Sequence, residues 1–146
     1  MSFQHDAGAQ GRKFEQAVET LFLIDGFIIK ERRWKHPVCN VEIDHVVWRD
    51  DVGDVWVECK GSWLSASGRN GLRRTDTLKK AIANAALLEM VEERRPYWLV
   101  TSHLPPIGST GDSWLRMVVG ALFDRVIEVG IAPLPLPAVI QRGEQP

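Results

Sequence analysis

Two runs, Val41 to Trp48 and Asp54 to Lys60, are dense in β-branched and aromatic residues and are separated only by Arg49-Asp50-Asp51-Val52-Gly53. The Asp and Gly residues of that break suit a turn, so the two runs read as an antiparallel hairpin. Before it, Phe14, Val18, Leu21 and Phe22 recur at spacings of three and four, which predicts a helix from about Gly8 to Ile24, ended by Gly26. Phe27 to Trp34 reads as a strand leading into the hairpin. After a Ser/Gly/Asn-rich loop, Ser65 to Gly71, a second helix is expected from Thr75 to Glu93. Its buried stripe is Leu78, Ile82, Ala85 and Leu88, and Thr75 or Asp76 is its expected cap. Tyr97 to Ser102 is short and nearly all apolar, as a strand buried on both faces would be. A helix near Asp112 to Phe123 and a short strand near Arg125 to Val129 complete the series. The order αβββαβ followed by αβ predicts an α/β fold with a mixed central sheet flanked by helices.

With 146 residues there is room for one domain, expected over residues 1–131, followed by a Pro-rich extended C-terminal tail over 132–146. That tail opens with Ala132-Pro133-Leu134-Pro135-Leu136-Pro137, and disorder is expected from Gln141 onward. The longest apolar runs, such as Met117 to Phe123, fall far short of the roughly 18–20 residues of a membrane span, and Met1 to Asp6 does not resemble a secretory signal. A cytoplasmic protein without membrane partners is the expectation. Cys39 and Cys59 lack a metal-type spacing and read as free thiols. A net charge of −1 argues against a protein that coats nucleic acid over its whole surface, but it allows a local basic groove. Basic residues gather at Lys30, Arg32, Arg33 and Lys35, and again at Arg69, Arg73, Arg74, Lys79 and Lys80. Either group reads equally as a solvated surface stretch.

Strand alternation sets Asp44 with Glu42, Val46 and Trp48, and Glu58 with Trp56 and Lys60, while sending Cys59 into the core on the opposite face. A lone charged strand residue is usually solvated, and an i,i+2 pair is often a surface ion pair. Here the charges adjoin apolar runs: Glu58 and Lys60 follow Val55-Trp56-Val57, and Asp44 lies between Ile43 and Val46-Val47. Charge in such surroundings is costly without a partner or a metal. Hard cations such as Mg²⁺ are commonly held by one or two carboxylates together with substrate phosphate and water.

These residues resemble the PD-(D/E)xK nuclease superfamily, whose members share an αβββαβ core, a helix glutamate, an aspartate on the second core strand and a (D/E)-x-K pair on the third. The matching positions are Glu15 in Gly11-Arg12-Lys13-Phe14-Glu15, Asp44 in Val41-Glu42-Ile43-Asp44-His45-Val46-Val47, and Glu58-Cys59-Lys60. The resemblance spans roughly Gly8 to Ser102 and looks most like the nuclease-related domain and the restriction-endonuclease-like proteins; the Holliday-junction resolvases also share the pattern. Ile43 stands where the proline of the superfamily's name would be, a position that varies among its members. The resemblance implies that Asp44, Glu58 and the Cys59 backbone carbonyl ligate Mg²⁺ or Mn²⁺, and that Lys60 orients or helps deprotonate the attacking water. Glu15 would bind a second metal or tether its water; it reads equally as an exposed helix glutamate. Arg73, Arg74, Lys79 and Lys80 stand where the family contacts the substrate backbone. Lys79 and Lys80 cannot share one face, with Lys80 slightly favoured for phosphate. The implied activity is phosphodiester hydrolysis by a DNA endonuclease, with a homodimer expected where both strands are cut. The alternative is a non-catalytic nucleic-acid-binding or complex-assembly module that retains the fold.

Other residues are weaker candidates. His45 is expected in the core or on the second face, and His36, between Lys35 and Pro37, on a loop surface. Thr101 to Pro106 lies at an expected strand end, where polar residues often reach a site, but no triad spacing accompanies Ser102 and His103. The tryptophans show no regular spacing that suggests a stacking platform, and most read as core; Trp63, just beyond Lys60, is the one to watch.

Overall fold

The computed structural model describes residues 3–62, 70–130 and 138–141. Its elements run α1 (Phe3–Ile24), β1 (Ile28–Lys35), β2 (Glu42–Arg49), β3 (Gly53–Lys60), a 3-10 turn (Gly71–Arg73), α2 (Thr75–Glu89), β4 (Tyr97–Thr101), α3 (Thr110–Val118), β5 (Arg125–Glu128) and β6 (Ala138–Gln141). The sheet order follows the chain, β1 through β6. β1, β2 and β3 are antiparallel neighbours, whereas β4 and β5 add in parallel. The expected α/β class with a mixed sheet is therefore present. β6 lies within the expected C-terminal tail and takes in Gln141; its register pairs Ala138 with Glu128 and Gln141 with Arg125. Val139 and Ile140, beyond the last proline of the run, are strong strand formers. Residues 131–137 and 142–146 lie outside the described residues, as do Trp63, Arg69 and most of the expected loop before Gly71.

Helices cover both faces of the sheet. On one, Phe14, Val18 and Phe22 of α1 pack with Val47, Val55, Val57, Cys59, Trp98 and Val100. On the other, Leu78, Ala81, Ala85 and Leu88 of α2 and Leu115 of α3 pack with Val46, Trp56, Tyr97, Leu99 and Val126. β4 is buried at every position, as its unbroken apolar run requires. Among the described residues no helix is long and apolar enough to cross a membrane. Both cysteines are free.

The helix ends depart from expectation for local reasons. α2 begins after Arg74, whose side chain makes no cap, instead of being capped by Thr75 or Asp76. It stops at Glu89, short of Glu93, because the chain turns at Met90. Arg94 just beyond is claimed by β5's approach, donating to the Leu122 carbonyl and pairing with Asp124 at 2.9 Å. α3 starts earlier than Asp112, since Ser109 accepts a capping bond from the Asp112 amide. It ends at Val118, where the chain closes into a turn through Gly120, which adopts φ +87°.

Candidate active site

β2 and β3 pair His45 with Val57, Val46 with Trp56 and Val47 with Val55. The same register carried one step further sets Asp44 opposite Glu58. There the regular ladder gives way to a side chain: the Cys59 amide donates to Asp44 Oδ2 at 2.7 Å. Simple alternation breaks at this point as well. It would put Ile43 and His45 on one face, yet Ile43 packs in the α2-side core while His45 turns to the α1 side. On β1, Arg33 falls between the pairs Arg32↔His45 and Trp34↔Ile43 and adopts φ +49°. A non-glycine residue in the left-handed region is uncommon and costs energy. The reversal thus lies at Asp44 and its β1 neighbour, a local twist that the even spacing of side chains had concealed.

Glu58 and Lys60 share a face, as their spacing requires, with Lys60 Nζ 3.0 Å from Glu58 Oε1. Glu58 is only 2% exposed. Its second oxygen accepts from the Tyr97 hydroxyl at 3.1 Å. Cys59 points the other way and is buried in the α1-side core, as expected. The site therefore joins two carboxylates, one ammonium, one phenol and the Cys59 backbone that lies between them.

The charge balance is unfavourable for two ionised acids. Burial, then the charge of Glu58 and that of Glu15, push the Asp44 carboxyl up to about 8, against the opposing Cys59 amide and Lys60. Burial likewise raises Glu58, with Lys60 and Tyr97 opposing it. Burial acts to lower the Lys60 ammonium, but the adjoining Glu58, aided by Asp44, outweighs it and holds Lys60 above its ordinary value. Tyr97 is raised by burial and by Glu58, so its hydroxyl is a fixed donor. One cation serves two carboxylates in a poorly hydrated place.

Glu15 reaches this neighbourhood from α1: its charge acts on Asp44 and Glu58, and its carboxylate pairs with Arg33 at 3.3 Å. α1 can approach so closely because Gly61 follows Lys60. A methyl group on Gly61 would lie 2.6 Å from the fully buried Phe14 ring, the residue beside Glu15. Gly61→Ala is expected to lower stability by about 1–3 kcal/mol through overpacking. A thermal melt within a degree of the parent would show that α1 does not depend on this contact.

Three features escaped the sequence. Tyr97 is the sole tyrosine and opens a buried strand, a place where its hydroxyl needs a partner. Glu19 joins Arg32, at 2.6 Å, to His45 Nε2, at 3.2 Å, and His45 Nδ1 lies 3.7 Å from Cys59 Sγ. His45 is thus a buried second-face histidine, as expected, and burial, partly countered by Glu19, depresses its pKa. The third is a polar knot beyond Lys60. Ser102 Oγ accepts from the Ser62 amide at 3.0 Å and pairs with His103 Nδ1 at 2.8 Å, while Asn70 Nδ2 donates to the Ser62 carbonyl. Gly71, at φ +55°, leaves no room for a side chain against Thr101 and Ser102. Ser102 is occupied in tying Ser62 to the end of β4, and Asn70 joins the knot through Ser62.

The basic residues separate into two kinds. On β1, Lys30 pairs with Asp54 at 2.8 Å, Arg32 with Glu19 and Arg33 with Glu15, so three of the four are engaged by carboxylates. Arg73, Arg74, Lys79 and Lys80 are all exposed around the start of α2. Lys79 lies over the Trp114 ring of α3 at 5.3 Å, which leaves Lys80 on a different aspect of the helix. His36 is a correction: it is buried, not on a loop surface. Its ring lies 5.5 Å from both Trp34 and Trp56, and its Nδ1 accepts from the Val38 amide, because residues 36–41 fold back tightly through Asn40 at φ +59°.

No family model, curated protein or solved structure matches this chain. Among the described residues no group of three or more His, Cys, Asp and Glu side chains is gathered to hold a metal ion. What β2 and β3 bring together is of a different make: two buried carboxylates, Asp44 and Glu58, on either side of the Cys59 backbone. Crowded acids raised by burial and mutual repulsion are chemically suited to a hard divalent cation, whose charge would relieve that repulsion.

Proposed function

We propose that this protein is a metal-dependent nuclease of the PD-(D/E)xK superfamily that hydrolyses phosphodiester bonds, with DNA as substrate and cleavage within the strand. The observation that carries this reading is the meeting of Asp44, Glu58 and Lys60 around the Cys59 backbone at one end of the β2–β3 hairpin. Asp44, Glu58 and the Cys59 carbonyl are the residues that would hold Mg²⁺ or Mn²⁺. Such an ion, when bound, polarises phosphate and makes hydroxide available from water near neutral pH.

Each remaining group has a role set by its contacts. The Cys59 amide fixes one oxygen of Asp44, while Tyr97 and Lys60 each fix an oxygen of Glu58, so neither carboxylate is free to rotate away. Preorganised charge of this kind acts at full strength because it need not rearrange during the reaction. Lys60 stays protonated near neutrality, so its part is to hold the attacking water and to offset charge on the scissile phosphate; taking the proton falls to another base. Glu15, whose charge acts on both acids, would bind a second metal or tether its water. Arg73, Arg74 and Lys80 would contact phosphate without reading sequence, which gives affinity that falls steeply with salt.

A plasmid-nicking assay tests the reading. Nicking is expected with Mg²⁺ or Mn²⁺, and it should vanish with EDTA and in Glu58→Gln, which keeps side-chain shape but removes a charge. Nicking that persists in Glu58→Gln, or no nicking with either metal, would count against catalysis at this site.

A further inference from the structure

An open cleft of about 530 Å³ lies against the α2-side face of the sheet, within the usual size of ligand pockets. One wall is aromatic: Trp34 and Trp56 lie 6.4 Å apart, and the His36 ring stands edge-on to both. Trp56 and His36 are buried and Trp34 only half so, which leaves Trp34 as the ring open to a ligand. Through Trp56 the cleft lies on the same face of β3 as Glu58. Val46 and Trp56 line it, and they precede or follow Asp44 and Glu58 by two residues, about 6.6 Å along each strand.

The rim decides what fits. Glu31, Glu92, Glu93 and Asp54 are set against Lys30 and Arg95, and Lys30 is already bound to Asp54. An acidic rim repels phosphate. It suits a flat aromatic group with N–H donors on its edge, which stacks on tryptophan and donates to carboxylates. Such a group next to a phosphodiester is a nucleobase with an exocyclic amine. Bases within a duplex are stacked and closed to this approach, so the base must be unpaired, in single-stranded or locally opened nucleic acid.

We infer that this cleft holds an unstacked, amino-bearing nucleobase of the substrate strand, beside the bond to be cut. This rests on the nuclease reading and narrows its substrate to strands with an unpaired base at the site. The same placement makes Trp34 a substrate-binding residue and Glu92 and Glu93 the selectors for the amine.

Fluorescence anisotropy with labelled 12-mers, in EDTA so that no cleavage occurs, tests this directly. The probes are oligo-dC, oligo-dT and an abasic strand of the same length. Cytosine carries the N4 amine and thymine does not. Oligo-dC should bind more tightly than oligo-dT, and both more tightly than the abasic strand. Trp34→Ala should weaken oligo-dC binding roughly 5- to 150-fold, the worth of one stacked base, while Trp34→Phe retains most of it. Glu92→Gln with Glu93→Gln should erase the preference for dC over dT. Equal binding of oligo-dC and the abasic strand by the unmodified protein overturns the base pocket and leaves the nuclease reading intact. Failure of all three strands to bind at low salt overturns the base pocket, and metal-dependent plasmid nicking then decides the nuclease reading separately.

Discussion

Asp44→Asn should give a protein that is inactive and more stable than its parent, with the gain growing as pH rises. The Asp44 carboxyl is held at about 8 in the folded chain, against about 3.9 when unfolded. A carboxyl raised on folding favours the protonated state. Its contribution to stability is whole below about pH 4 and is lost progressively as pH rises through about 8. Asparagine stays neutral throughout, and its carbonyl oxygen can still accept from the Cys59 amide. At pH 9 the variant should exceed the parent by on the order of 3 to 5 kcal/mol, which corresponds to a melting temperature raised by about 10 °C. Near pH 4 the two curves should meet. Thermal melts across pH 4 to 9 check this, and a parent whose stability is flat over that range would refute it. Metal supplies the companion measurement: Mg²⁺ or Mn²⁺ should raise the parent's melting temperature by mass action, and it should leave Asp44→Asn nearly unmoved.

That tension between two acids explains which parts of the molecule were open to a reader of the sequence. Periodicity is a local property, so the elements from α1 to β5 could be placed from the chain within a few residues. The facing of Glu58, Lys60 and Cys59 followed from alternation alone, since β3 runs without a break. Asp44 is another matter. The reversal there depends on Arg33 adopting a left-handed conformation on the adjacent strand, and nothing in the chain around Asp44 announces it. Tyr97, thirty-nine residues beyond Glu58, reaches it only because α2 returns the chain to a parallel register, Trp56 against Tyr97. Glu19 and His45 meet across twenty-six residues. The cleft at Trp34 is the clearest case: the tryptophans have no common spacing, and only the pairing of β1 with β2 and β2 with β3 gathers Trp34, His36 and Trp56. Even the charges of β1 changed meaning, from a basic patch to three ion pairs that fasten the strand to α1 and β3.

Lys60→Ala should move stability in the direction opposite to Asp44→Asn while causing a similar loss of activity. Removing Lys60 leaves Glu58, 2% exposed, with Tyr97 as its remaining hydrogen-bond donor among the contacts described above and with Asp44 and Glu15 as repelling neighbours. Breaking a buried pair from one side is costly, and here about 2 to 3 kcal/mol is expected at neutral pH, less than the fully buried limit because Lys60 keeps some contact with water. The loss should shrink as pH falls, because Glu58, already raised, takes up a proton and no longer needs a cation. Turnover should drop roughly 10²- to 10⁴-fold through loss of the group that orients water and offsets phosphate charge. The two variants together separate catalysis from scaffolding. If these residues were a structural ion-pair cluster alone, activity would follow stability, and Asp44→Asn, the more stable protein, would be at least as active as its parent. At a site built to hold a cation and a phosphate, both variants are inactive although their melting temperatures move apart. Measuring nicking rates at 25 °C, well below both melts, with purified protein checked for folding by circular dichroism, distinguishes the cases; a Lys60→Ala protein that nicks within threefold of the parent rate would remove Lys60 from the mechanism.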